Sequence, residues 1–88
     1  MNIFKTAGSR FLFMALYEKL LDEPDDGYSS TYVIWPRKNG KWDVRWKWAG
    51  DWEEIAPHQF DTENAAFNYA YDHNAERQRR LENSSRKQ

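Results

Sequence analysis

With 88 residues, the chain has room for one domain and not two. It contains no cysteine, which excludes disulfides and thiolate metal sites, and its formal net charge of −1 argues against a protein held on polyanions by bulk charge alone. Stability must then come from packing, and five Trp, five Tyr and five Phe supply apolar area for it.

Residues 6–22 are predicted as an N-terminal helix. Phe11, Met14, Tyr17 and Leu21 recur at helical spacing, Phe13 and Leu20 widen the stripe, and Thr6 or Ser9 suits the cap. Pro24 and Gly27 end it, with the acidic turn Asp22, Glu23, Asp25 and Asp26 at that end. The apolar run from Phe11 to Tyr17 gives way directly to Glu18 and Lys19 and lacks a small-residue cleavage site, so the chain is expected to be cytoplasmic, with no membrane segment. The Phe, Leu and Met content of this helix suits a two-fold homodimer interface.

Three strands are predicted next, at 29–36, 41–48 and 51–56. Thr31-Tyr32-Val33-Ile34-Trp35 is β-branched and aromatic, and Pro36 suits its end. Asn39-Gly40 signals a tight turn. Then Trp42, Val44, Trp46 and Trp48 alternate with Lys41, Asp43, Arg45 and Lys47. A period of two puts successive side chains on opposite faces of a strand, so one face is indole and valine and the other is charged. Ala49-Gly50-Asp51 turns the chain, and Pro57 stops the third strand.

A second helix is predicted over 61–81. Asp61 is placed to cap it, Glu63 suits its positive end, and Phe60 is expected to staple against Ala65. Ala65, Ala66, Tyr69, Ala70 and His73 form one face, whose small residues suit contact with a sheet that carries bulky indoles. Residues 82–88 are expected to fray. The expected fold is α+β: an N-terminal helix, a three-stranded antiparallel meander, and a C-terminal helix on the aromatic face of the sheet, as a single domain over 1–88.

The run Asn39-Gly40-Lys41-Trp42, then Trp52, then Phe60-Asp61-Thr62-Glu63 with Ala65-Ala66, then Ala70-Tyr71-Asp72, resembles the DNA-binding domain of plant ethylene-response factors and the similar arm-site-binding domains of phage integrases. It also suits many small strand-strand-strand-helix proteins, and covers less than half of the chain. The resemblance implies a three-stranded sheet packed on one helix, with the open face of the sheet entering the DNA major groove.

Each candidate site has a plain structural reading beside the functional one. Arg37, Lys38, Lys41, Arg45 and Lys47 are placed to grip phosphate, a guanine edge or a protein partner; otherwise they are a solvated sheet face. Asp43, Glu53 and Glu54 dilute that charge. Arg77, Arg79 and Arg80 form a secondary basic patch that either holds nucleic acid or complements the helix dipole. Asp22, Glu23, Asp25 and Asp26 either capture a basic partner or form a polar loop. The tryptophans either stack bases or form the core, and the core reading is favoured because the chain offers no other. His58 and His73 have too few companions for a metal site, and no nucleophile, phosphate loop or dinucleotide fingerprint appears. The expectation is a non-enzymatic module without cofactor or metal. Its function is DNA association through the basic sheet face or, in the alternative, binding and inhibition of a host protein in the manner of phage or mobile-element proteins such as anti-CRISPRs.

Overall fold

The computed structural model describes residues 2–6, 8–19, 30–48 and 52–86. Its N-terminal part is not helical. Ile3, Phe4, Thr6, Phe11 and Phe13 are strand-favouring residues, and they build β1 (Asn2–Thr6) and β2 (Ser9–Phe13), an antiparallel hairpin. Gly8 takes φ +76° in the connecting turn, where glycine carries no Cβ penalty. The helix expected over 6–22 is thereby overturned, and with it the dimer interface assigned to that helix.

The sheet is five-stranded and mixed, in the order β1-β2-β3-β4-β5, which corrects the three-stranded antiparallel meander. β3 (Ser30–Pro36) runs parallel to β2, while β4 (Trp42–Lys47) and β5 (Trp52–Glu54) continue antiparallel. β2 is paired on both edges, and both of its faces are also covered: Phe11 is buried on one and Leu12 on the other. That erases the period-two signal, and a short apolar run then reads equally well as helix. Met14 continues the run, with its backbone amide donating to Ile34 O at 3.0 Å. The chain then leaves the sheet in a turn at Ala15–Glu18. There Ala15 N donates to Glu18 Oε1, Glu18 N donates to Ala15 O, and Tyr17 takes φ 66°. The acidic cluster Asp22, Glu23, Asp25 and Asp26 lies outside the described residues.

β3 and β4 join through the Asn39-Gly40 turn. Gly40 N donates to Arg37 O and Arg37 N donates to Lys41 O, with Gly40 at φ +81°, a three-residue hairpin loop closed by a left-handed glycine. After β5, Phe60 returns to pair with Trp42 through two backbone bonds of 2.8 and 2.9 Å. The third strand is thus shorter than 51–56.

The one helix among the described residues, α1 (Glu63–Arg86), is capped one residue later than expected. Thr62 Oγ1 accepts from Ala65 N at 3.0 Å, so Thr62 is the N-cap, and Asp61 instead takes an ion pair with Lys41. The helix continues past Leu81 to Arg86. It lies on the face that carries Trp42, Val44 and Trp46, where Ala66 and Ala70 are fully buried against Phe11, Tyr32, Ile34 and Val44. Large residues on the sheet meet small ones on the helix.

Register aligns the core into a row. Phe4, Phe11, Tyr32 and Trp46 are consecutive cross-strand partners, with ring centroids 5.8, 4.9 and 6.1 Å apart along the row. Aromatic pairs directly opposite one another are among the strongest cross-strand contacts. Phe67 of α1 meets Phe11 edge-on at 5.4 Å and closes the row from above. A polar chain ends the core on one side. Trp46 Nε1 donates to Ser30 Oγ at 2.9 Å, Ser30 and Ser9 hydroxyls are 3.0 Å apart, and Ser9 Oγ donates to Asn74 Oδ1 at 2.7 Å. Ser9, Ser30 and Asn74 are all buried, so each bond satisfies a group that would otherwise be costly.

On the second face, Leu12, Met14 and Val33 are buried with Trp35 and Trp52 packed against them. No helix of the described residues is long and apolar enough to cross a membrane.

Candidate functional site

The alternation along β4 sorts its residues as the period requires. Trp42, Val44 and Trp46 pack beneath α1, and Asp43, Arg45 and Lys47 point to the other face. The five cations expected to act together do not form one patch. Arg37 and Arg45 converge on Trp35, with guanidinium carbons 5.0 and 5.4 Å from its ring. Each is also tied to a carboxylate, Arg37 to Asp43 at 3.3 Å and Arg45 to Glu54, its register partner, at 3.2 Å. Lys41 pairs with Asp61 at the start of α1. Lys47 lies over Trp52, its partner on β5, at 5.8 Å, and Lys38 lies over Tyr17 at 5.7 Å. Three of the five are ion-paired and the five are spread over four places, so they do not present one phosphate-binding patch.

The secondary basic patch is better assembled. Arg77, Arg79 and Arg80 stand on α1 beside the end of β4. Glu76 pairs with Arg79 at 3.1 Å and Arg80 at 3.6 Å, so one carboxylate serves two arginines. Arg77 forms no ion pair among the described residues. Its guanidinium lies over both Trp46 and Trp48, at 5.7 and 5.0 Å from the ring centroids. The two indoles are parallel, 6.3 Å apart and 5° from coplanar, as expected for residues two apart on one side of a strand. Trp46 is anchored in the core, whereas Trp48 is 52% exposed.

Sequence reasoning placed Trp48 in the core with its three companions. The signal against this was its position at the end of the alternation, next to Ala49-Gly50-Asp51. One residue beyond β4, Trp48 has no register partner to roof it.

A groove of about 560 Å³ opens at this corner between β4 and α1. His73 forms its inner wall, edge-on to Trp46 at 5.0 Å. Tyr32 OH and His73 Nδ1 are 2.7 Å apart. Burial pushes the Tyr32 phenol up to about 12. The hydrogen bond to Tyr32 occupies Nδ1 and leaves Nε2 as the outer ring nitrogen of His73. Burial, with Arg77 and Arg80 adding to it, holds His73 below the ordinary histidine value and keeps the ring neutral. Asp72 supplies an exposed acceptor at the rim. His58 is elsewhere, its Nδ1 2.7 Å from Gln59 O and its ring against Phe60. No group of three or more His, Asp and Glu side chains among the described residues stands close enough to hold a metal ion.

No protein-family model, curated protein or solved structure matches the chain.

Proposed function

We propose that the chain is a non-enzymatic nucleic-acid-binding module whose contact surface is the corner where β4 meets the last turns of α1. The observation that carries this reading is Arg77, which lies over a core-anchored and a half-exposed tryptophan and pairs with no carboxylate among the described residues. An arginine braced on aromatic rings, beside two further arginines, is suited to track a phosphate backbone. The resemblance over residues 39–72 supports the same class of ligand. The surface differs from the sheet face that the resemblance implies, because Arg37, Arg45 and Lys41 are engaged with Asp43, Glu54 and Asp61 and the remaining two lysines lie apart from them.

The test is fluorescence anisotropy with labelled DNA across a salt series. Wild type is expected to bind with a negative log–log salt slope of roughly 2–3, about one unit per phosphate contact. Arg77→Glu with Arg80→Glu should abolish binding, and Arg45→Glu with Lys47→Glu should leave most of it. Absence of binding by wild type at low salt overturns the proposal.

A second reading rests on a different surface. Leu16 and Tyr17 are 47% and 73% exposed and line a groove of about 630 Å³ with Trp35, Arg37 and Lys38. Apolar, aromatic and arginine side chains together are the composition of a protein-recognition centre. This reading is of a phage- or mobile-element-type protein that binds and inhibits a host protein. It requires a defined partner to co-purify with wild type and to be lost with Tyr17→Ala, while the Arg77 variants retain it.

A further inference from the structure

We infer that the β4–α1 corner accepts an unpaired nucleobase, stacked on Trp48, with its phosphate held by Arg77. The inference rests on the proposal that this corner binds nucleic acid, and concerns which form of nucleic acid it takes. Trp48 is the only member of the β4 tryptophan series left substantially open; the parallel Trp46 fixes its plane, and Arg77 sits on the side of the ring that faces Trp46, so the opposite side is open to a base. Base-on-indole stacking needs a free base face, and a paired base inside a duplex has both faces covered. The groove has the volume of a small-ligand site.

Its polar groups suit a base as well as a phosphate. The Trp48 indole N–H makes no hydrogen bond among the described residues, and neither does His73 Nε2, because Tyr32 occupies Nδ1 instead. The indole N–H is a donor for base carbonyl or ring-nitrogen acceptors, and Nε2 is a donor or an acceptor according to the tautomer. Asp72 at the rim is an acceptor for exocyclic base N–H groups. Of the carboxylates here, Glu76 is already committed to Arg79 and Arg80, so phosphate at Arg77 meets little opposing charge. Tyr69 also lines the groove, but its hydroxyl is fixed by donation to Ile55 O at 2.8 Å and is not available to a ligand.

The experiment compares a labelled single-stranded thymidine oligonucleotide of about ten nucleotides with its duplex, using thymidine monophosphate as competitor. Wild type should prefer the single strand severalfold at ~50 mM salt. Trp48→Ala should weaken that binding roughly tenfold, and Trp48→Phe, which keeps a stacking ring, should recover most of it. Thermal melts of both variants check that the fold survives, as expected for a side chain outside the core. Competition by the mononucleotide at concentrations comparable with the strand identifies a free nucleotide as the occupant; its failure identifies the strand. Equal affinity for single strand and duplex, with no loss in Trp48→Ala but loss in Arg77→Glu, overturns the unpaired-base inference and leaves the nucleic-acid reading standing. Absence of binding to either form overturns both.

Discussion

Arg45 and Arg77 show how little the identity of a residue says about its role. Both guanidiniums lie on tryptophan, at 5.4 and 5.0 Å. Arg45 faces Glu54 across the sheet and pairs with it through one terminal nitrogen, whereas Arg77 has no carboxylate among the described residues. Only the neighbour differs, and neighbours come from register and helix placement, not from local sequence. The same holds for Tyr32 and His73, forty-one positions apart and joined by one hydrogen bond. Their shifts give opposite limbs to stability. Tyr32 is raised to about 12, so its contribution is complete below pH 10 and is lost as pH climbs from there toward 12. His73 is lowered, so its contribution is complete above the unfolded value near 6.5 and declines as pH falls below it. Urea midpoints measured against pH should therefore show both slopes. Tyr32→Phe should flatten the alkaline limb, and an unchanged limb would place the Tyr32 phenol in water.

At the scale of elements, turn chemistry is the most local determinant and the most legible. Asn39-Gly40 signalled a turn, and the hairpin loop there ends on glycine at φ +81°. A Cβ added to Gly40 meets nothing within 4 Å, so the cost of a substitution is backbone strain alone. Gly40→Ala is expected to destabilise by about 1–2 kcal/mol and Gly40→Asn by less, because asparagine tolerates the left-handed region better. Equal losses for the two, read from urea denaturation, would mean that packing and not φ sets the penalty. The helix start was nearly legible: Phe60-Asp61-Thr62-Glu63 contains the cap, and the hydroxyl of Thr62 takes it while Asp61 turns to Lys41. The β1–β2 hairpin was not legible. Phe11, Leu12, Phe13 and Met14 form an unbroken apolar run because a strand flanked on both sides serves two cores, and such a run has no period of two.

For the whole molecule, the tie between layers is the chain Trp46, Ser30, Ser9 and Asn74, which joins β4, β3, β2 and α1 in one row of hydrogen bonds. Removing the terminal acceptor leaves the buried Ser9 hydroxyl with Ser30 alone as its partner. Asn74→Ala should cost about 1–3 kcal/mol, which lowers the melting temperature by roughly 4–8 °C per kcal/mol in a domain of this size. Ser9→Ala in the Asn74→Ala background should cost less than in wild type, since the Ser9–Asn74 bond is then already lost; strict additivity would break the chain as described.

Local sequence was enough to determine which face of β4 turns inward, where the 37–41 hairpin bends and, to within one residue, where α1 begins. Each depends on side-chain period or backbone preference within a few positions. Tertiary structure alone decided that Asn2–Thr6 and Ser9–Phe13 are strands, that Arg37, Lys41 and Arg45 are tied to carboxylates, and that Trp48 is left outside beside Arg77. Those outcomes depend on which segments lie side by side, and partners such as Phe11 and Tyr32, or Trp48 and Arg77, are brought together by strand order and helix docking across long separations in the chain.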